Sequence, residues 1–237
     1  MNTPRLNDCL DELDESDVQR LRPHLRAVNL EAGERLQTAG EPVARLLFPI
    51  SCLIAFSREL STGISVDTAL IGPEGVVGLR GLIQQPSLHE VQVVVSGLAY
   101  EVRIADFSPE LQRSSGIQRM CMRAGTRIID MISTELACSR FHAVEARLAK
   151  WILVRHDRGQ GGTILATHQS IADSLGVRRE AVTNALQRLE GVRVERGCLQ
   201  VHDRAPLEAA CCECYFSRSA EHAAQLSLPF PARTLQG

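Results

Sequence analysis

Apolar and polar positions divide the chain into three textures. Residues 1–27 read as acidic helix, with Leu6, Leu10, Leu13, Leu21 and Leu25 as packing positions. From Val28 to Phe107, short apolar runs alternate with glycine turns. The runs are Leu46–Phe48, Leu53–Phe56, Ile64–Leu70, Val91–Val95 and Tyr100–Ile104, and the turns include Ala39-Gly40-Glu41-Pro42 and Ile71-Gly72-Pro73-Glu74-Gly75. Strands at such spacing predict an antiparallel β-roll, or jelly roll. Helical period then takes over. Ser108-Pro109-Glu110 has the signature of a helix start: a cap, a proline at the first position and an acid in the first turn. Behind it Ile117, Cys121, Ala124, Ile128 and Met131 recur at spacings of 4, 3, 4 and 3, the repeat of a coiled-coil seam. That seam can pack on the roll or on a second subunit, and a homodimer is the favoured reading.

A further helix, His142 to His156, ends in the turn Asp157-Arg158-Gly159-Gln160-Gly161-Gly162. The stretch THQSIADSLGVRREAVTNALQRLE then reads as two short helices hinged at a glycine. Thr167 is an N-cap, and Ile171, Ala172 and Leu175 form one apolar face. Gly176 suits the left-handed position after a helix. Val182, Ala185, Leu186 and Leu189 stripe a second helix whose other faces carry Arg178, Arg179, Glu180, Thr183, Asn184 and Gln187. This is a helix-turn-helix with a basic leading turn. Val192–Val194, Glu195-Arg196-Gly197 and Leu199–Val201 add a hairpin, the wing. A last helix is expected from Pro206 through Cys214, and an extended, mobile tail beyond it.

The fold class is therefore α+β, an N-terminal antiparallel β-roll, a long dimerisation helix and a C-terminal winged helix-turn-helix. The expected divisions are 1–107, 108–140, 141–216 and a tail of 217–237. Charge sharpens the assignment. The formal net charge is −2, which argues against indiscriminate nucleic-acid binding. Between Arg140 and Arg204, however, eleven Lys/Arg face seven Asp/Glu, so the basic excess sits on the helix-turn-helix, where phosphate contact requires it. No apolar run approaches membrane-spanning length and the N-terminus is acidic, so a cytoplasmic protein with no membrane partner is expected. Eight cysteines in such a chain are expected to be mostly free thiols.

A roll, a seam-bearing helix and a winged helix-turn-helix, in that order, resemble the Crp/Fnr superfamily of bacterial transcription regulators. The stretches carrying the resemblance are EPVARLLFPISCLIAF, LIGPEGVVGL, HAVEARLAKWIL and THQSIADSLGVRREAVTNALQRLE. It implies a homodimer that reads palindromic half-sites of double-stranded DNA and works with RNA polymerase. Arg179, Glu180 and Asn184 fall at the family's base-reading positions. Their chemistry agrees independently, since arginine is bidentate to guanine, glutamate accepts from cytosine N4 and asparagine is bidentate to adenine. Thr167, His168 and Gln169 match phosphate-holding positions, and Arg178 and Thr183 are placed with them.

Two departures from the family stand out. Cyclic-AMP-binding members carry a Gly-Glu pair followed by an Arg-Ser pair. Here Gly72, Glu74 and Gly75 surround Pro73, and His89 and Glu90 stand where Arg and Ser are expected. A carboxylate there repels a cyclic phosphate, so these five residues mark an altered effector pocket that does not take cyclic AMP in the usual manner. With only Cys9 near the N-terminus, the iron–sulfur cluster of other members is excluded. The link from recognition helix to wing is about two residues shorter than the family's. No cofactor is implied and the effector is not specified.

Cys211, Cys212 and Cys214 cluster in CCECY, with Cys211 and Cys214 on one face if the helix continues. A metal site there lacks a fourth donor in sequence, Cys198 or His202 of the wing being the nearest, so packing is the reading adopted and no metal site is assigned. His24 and His89 without a His-x-His pair do not make a cupin-type centre, and an enzyme is not expected. Two rivals to an effector-gated regulator are a constitutive one with a ligand-free roll, and a signalling module that contacts protein instead of DNA.

Overall fold

The computed structural model describes residues 7–217, apart from 62 and 160. The expected tail therefore lies outside the described residues, Ser217 excepted. Two short helices, α1 (Asp8–Asp11) and α2 (Glu15–Leu21), precede seven strands. These are β1 (Arg26–Leu30), β2 (Arg35–Gln37), β3 (Arg45–Pro49), β4 (Leu53–Glu59), β5 (Ser65–Ile71), β6 (Glu90–Val95) and β7 (Gly97–Arg103). They form two antiparallel sheets, ordered β1-β7-β3 and β2-β6-β4-β5. Alternation explains why β3 and β4 read as unbroken apolar runs. Leu47, Ile54 and Phe56 point between the sheets, whereas Leu46 and Phe48 point outward onto helices. Leu53 packs instead into the core of the C-terminal helices. Both faces of these strands are covered, so no polar face is left to show.

Helix α3 (Ile104–Arg113) starts earlier than the sequence indicated, and the long helix α4 (Ser115–Phe141) starts later. Ser108 does not cap; its hydroxyl donates to the Ile104 carbonyl at 2.8 Å from within α3, and Pro109 lies inside that helix. The true cap is Ser114, whose Oγ accepts from the Gly116 and Ile117 amides, both at 3.1 Å, and donates to Asp17. A boundary at 107/108 would thus cut a helix.

The seam also requires correction. Ile117 and Ala124 are fully buried in the core under β3, with Cys121 packed beside them, while Ile128 and Met131 lie on the core between the sheets. All five residues assigned to the dimer face the chain's own roll. Arg127, on the same side, pairs with Glu12 and donates to the Glu74 carbonyl at 3.3 Å. A different flank of α4 carries Met122, Ile129 and Leu136, exposed by 73%, 63% and 57%.

The C-terminal part comprises α5 (Val144–Arg158), β8 (Ile164–Leu165), α6 (His168–Leu175), α7 (Arg179–Leu186), β9 (Val192–Glu195), β10 (Cys198–Val201) and α8 (Ala205–Ala210). Its core gathers Leu148, Ile152, Ile171, Val182, Leu186, Leu199 and Leu207, joined by Leu53, Leu70 and Val95 from the roll. Polar contacts cross the same boundary. Asp67 of β5 accepts from Arg155 at 3.3 Å and from the Ser174 hydroxyl, and Arg158 pairs with Glu74 at 2.8 Å. Among the described residues no helix is long and apolar enough to cross a membrane.

Candidate nucleic-acid interface

Local chemistry sets the geometry of the two helices. The Thr167 hydroxyl accepts from the Ser170 amide at 3.0 Å, and the Ser170 hydroxyl accepts from the Thr167 amide at 2.9 Å, a reciprocal cap. Gly176 ends α6 in the left-handed region at φ 64°, its N–H bonding back to Ala172 and Asp173. Ile171, Ala172 and Leu175 of α6, with Val182, Ala185, Leu186 and Leu189 around α7, are buried as the spacing required. Helix α5 fixes the hinge from behind. Trp151 donates to Ser174 at 2.8 Å, Arg155 stacks over the Trp151 ring at 3.7 Å, and Arg147 donates to the Leu175 carbonyl.

Packing on one side leaves the other side of α7 to solvent. Arg178, Arg179, Glu180, Asn184, Gln187 and Arg188 are all exposed. Arg179 and Glu180 occupy the first turn of α7, and Asn184 follows one turn later on the same flank. Long polar side chains at the leading end of an exposed helix can enter the major groove. The residues placed at phosphates divide into two kinds. Arg178 and Gln169 are exposed, but His168 and Thr183 are half-buried and hydrogen-bonded to each other at 3.0 Å, bridging α6 to α7. The wing pairs β9 with β10 in register Cys198↔Glu195 to Val201↔Val192, and β8 extends it. Its Arg193 and Arg196 are exposed, beside the recognition helix in sequence order. In the link between α7 and β9, Gly191 lets the chain run close to Asp203, since at φ 83° an added Cβ would meet the Asp203 carbonyl at 2.1 Å.

The five residues assigned to an effector pocket do not converge. Ile71 pairs with Ile54 on β4, whereas Glu90 pairs with Ser57 on the other flank of the same strand. The Gly72 turn and the His89–Glu90 pair therefore lie on opposite flanks of β4 and three residues apart along it, about 10 Å or more. Glu74 is buried and held by the Gly72 amide and Arg158. Glu90 accepts from the Ala39 amide at 2.9 Å and pairs with Arg35. His89 leans on Phe56, ring centroids 5.5 Å apart, and burial first, then Arg58 and Arg80, holds its pKa below the ordinary histidine value. A cleft of ≈ 670 Å³ opens elsewhere, between β5, α4, α5 and α6, lined by Val66, Asp67, Met131, Lys150, Trp151 and Ser174 among others.

The C-terminal cysteines are not on one helix. Helix α8 stops at Ala210 and Cys211 is extended, so Cys212 and Cys214 both turn toward the end of α4. There they meet Cys138 and His142, not Cys198 or His202 of the wing. The Cys138 thiol is drawn down, chiefly by its hydrogen bond with Cys212, whose own thiol is pushed up. Elsewhere burial raises the thiols, Cys9 and Cys121 to about 12 and Cys52 to about 11, as befits small apolar fillers.

Residues 146–210 match the family described as the Crp-like helix-turn-helix domain. Among solved structures, a Crp/Fnr-family protein from Eubacterium rectale superposes with a TM-score of 0.68 at 15% identity, covering 84% of this chain and 95% of its own. FixK2 from Bradyrhizobium japonicum gives 0.63 at 16% identity, over 79% of this chain and 98% of its own. The c-di-GMP responsive global regulator CLP of Xanthomonas campestris gives 0.60 at 15% identity, over 80% of this chain and 100% of its own. These likenesses are in fold. No curated protein sequence matches the chain.

Proposed function

We infer, for a chain that carries a Crp-like helix-turn-helix domain on the fold of the Crp/Fnr transcription regulators, that it acts as a sequence-specific homodimer on palindromic double-stranded DNA. The observation carrying this reading is the exposed leading turn of α7, with Arg179 and Glu180 held outward by a fully buried opposite face. Arg179, Glu180 and Asn184 read base edges. Arg178, Gln169 and the N-terminus of α6 around Thr167 hold phosphates, while His168 and Thr183 brace the two helices. Two such units must stand about 34 Å apart to meet successive turns of one DNA face, which one chain cannot supply. The second chain docks on the outer stripe of α4, Met122, Ile129 and Leu136, which recurs every seven residues. RNA polymerase is the partner expected of such a regulator. Selection from random DNA by mobility shift tests the reading: a palindrome should emerge, with half-site centres one helical turn apart. Enrichment of no sequence would overturn it.

Roll and DNA-binding part are coupled through Asp67. Arg155 is 4% exposed, and removing its carboxylate partner leaves a buried cation short of a hydrogen-bond acceptor. Asp67→Ala is expected to lower stability by about 3 kcal/mol, the lower end for breaking a buried pair. Urea unfolding measures it, and an unchanged midpoint would remove Asp67 from the coupling.

Cyclic AMP is not the signal in this reading. Glu90 is engaged by Arg35 and the Ala39 amide, and the lowered pKa of His89 leaves it neutral above the ordinary histidine range. Neither offers a cation to a cyclic phosphate. Titration calorimetry on the purified full-length protein should show no saturable heat with micromolar cyclic AMP. A saturating isotherm there would restore the usual pocket.

A further inference from the structure

Four side chains at the junction of α4 and the C-terminus form a constellation that the DNA-binding reading does not use. Cys138 lies in the last turn of α4 and His142 is its C-cap, one helical turn on. Cys212 and Cys214 arrive from the segment after α8, more than 70 residues later. Their ligand atoms all lie within 4.8 Å of one another. The Cys138 and Cys212 sulfurs are 3.6 Å apart, and the Cys214 sulfur is 3.7 Å from His142 Nδ1. A tetrahedral ion with zinc–sulfur bonds of about 2.3 Å and zinc–nitrogen bonds of about 2.0 Å sets its ligands about 3.5–3.8 Å apart. Both of these contacts already have that length.

We propose that Cys138, His142, Cys212 and Cys214 form a Cys3His site for a tetrahedral thiophilic divalent cation, zinc in the first place. Glu213, between the two later cysteines, supports the assignment. Its Oε1 lies 3.1 Å from His142 Nε2, so the ring donates its Nε2 proton to the carboxylate and keeps the Nδ1 lone pair for the ion. A carboxylate holding the far nitrogen of a ligating histidine is the usual second layer of such sites. Three thiolates and a dication leave one negative charge, and the buried Lys150 ammonium beside Cys138, itself held by Glu135 at 2.8 and 2.7 Å, lowers the cost of that charge. Sulfur and nitrogen donors select zinc over calcium or magnesium, which take oxygen. Four protein ligands leave no open position, so the ion is structural. Cys138 and Cys212 are buried, whereas His142 and Cys214 are only half-buried and give the ion a way in.

Its place in the fold gives it a task. His142 and Ala143 link α4 to α5. An ion bound there pins the end of the DNA-binding part to the end of the long helix, fixing the angle at which α7 is presented.

Metal content of full-length protein purified without chelators tests the proposal, with one zinc per chain expected. Cobalt added to the demetallated, reduced protein should give thiolate charge-transfer absorption and the intense visible bands of tetrahedral coordination. Cys214→Ser and His142→Asn, at the two half-buried ligands, should each weaken zinc at least 100-fold in chelator competition. Glu213→Gln should weaken it about 10- to 100-fold, and Cys198→Ser in the wing should change nothing. If a ligand variant fails to fold by circular dichroism, the cobalt spectrum of the unaltered protein decides. Absence of both zinc and thiolate absorption would overturn the site. So would full zinc affinity in the Cys214→Ser, His142→Asn double variant, or a Cys138–Cys212 disulfide in a protein whose reduced form takes no metal.

Discussion

Arg179→Ala is expected to cost about 1–3 kcal/mol at each half-site, the worth of a bidentate arginine–guanine pair. On a palindrome read twice, affinity should fall roughly 30-fold to 10⁴-fold. The pattern matters more than the size. Removing a base reader from the first turn of α7 relaxes preference at one position per half-site and leaves the others intact. Arg178→Ala, which takes away a phosphate-holding cation, should weaken all sequences alike and flatten the salt dependence by about one unit of slope. Anisotropy titrations on single-base variants of the selected palindrome, repeated at several salt concentrations, separate the two. If Arg179→Ala kept the full sequence preference, the arginine would not be a reader.

The helix-turn-helix was legible because its signals are local. Cap, apolar stripe, turn glycine and second stripe occupy about two dozen consecutive residues, and each constrains the next. The roll was legible as a class, through runs and turns, but not in register. Whether Gly72 and Glu90 meet depends on which flank of β4 each one reaches, and nothing in their spacing encodes that. Ser108-Pro109-Glu110 shows a local signal overruled. Arg103 and Asp106 pair at 2.6 and 2.9 Å in the turn before it, extending α3 backward past the apparent cap. The cysteine constellation was invisible for a different reason. Cys138 and His142 have ligand spacing on a helix, and Cys212 and Cys214 have it in the segment after α8, but only the fold brings the pairs together.

In the proposed homodimer, Ile129→Glu should convert the pair to monomers and leave each chain folded, and it follows from how α4 carries two apolar stripes. Period reports that a face is covered, not by what. The denser stripe, Ile117 to Met131 at spacings of 4 and 3, lies on the roll of its own chain, where contact carries no loss of translational freedom. The sparser one, Met122, Ile129 and Leu136, is what remains for a partner. Ile129 is 63% exposed in the single chain, so a glutamate there is solvated and harmless to the fold. In the proposed dimer two such carboxylates would face each other. Losing two isoleucines, each 63% exposed before docking, removes about 2–4 kcal/mol, and like-charge opposition adds to it. A dissociation constant raised at least 100-fold is expected in sedimentation velocity, together with loss of tight binding to the palindrome but not of weak binding to a half-site. Ile128→Glu, one residue earlier, should do the reverse. Its charge would press on the core between the sheets, lowering the unfolding midpoint while any folded protein stays dimeric. A dimer unmoved by Ile129→Glu but dissolved by Ile128→Glu would return the interface to the denser stripe.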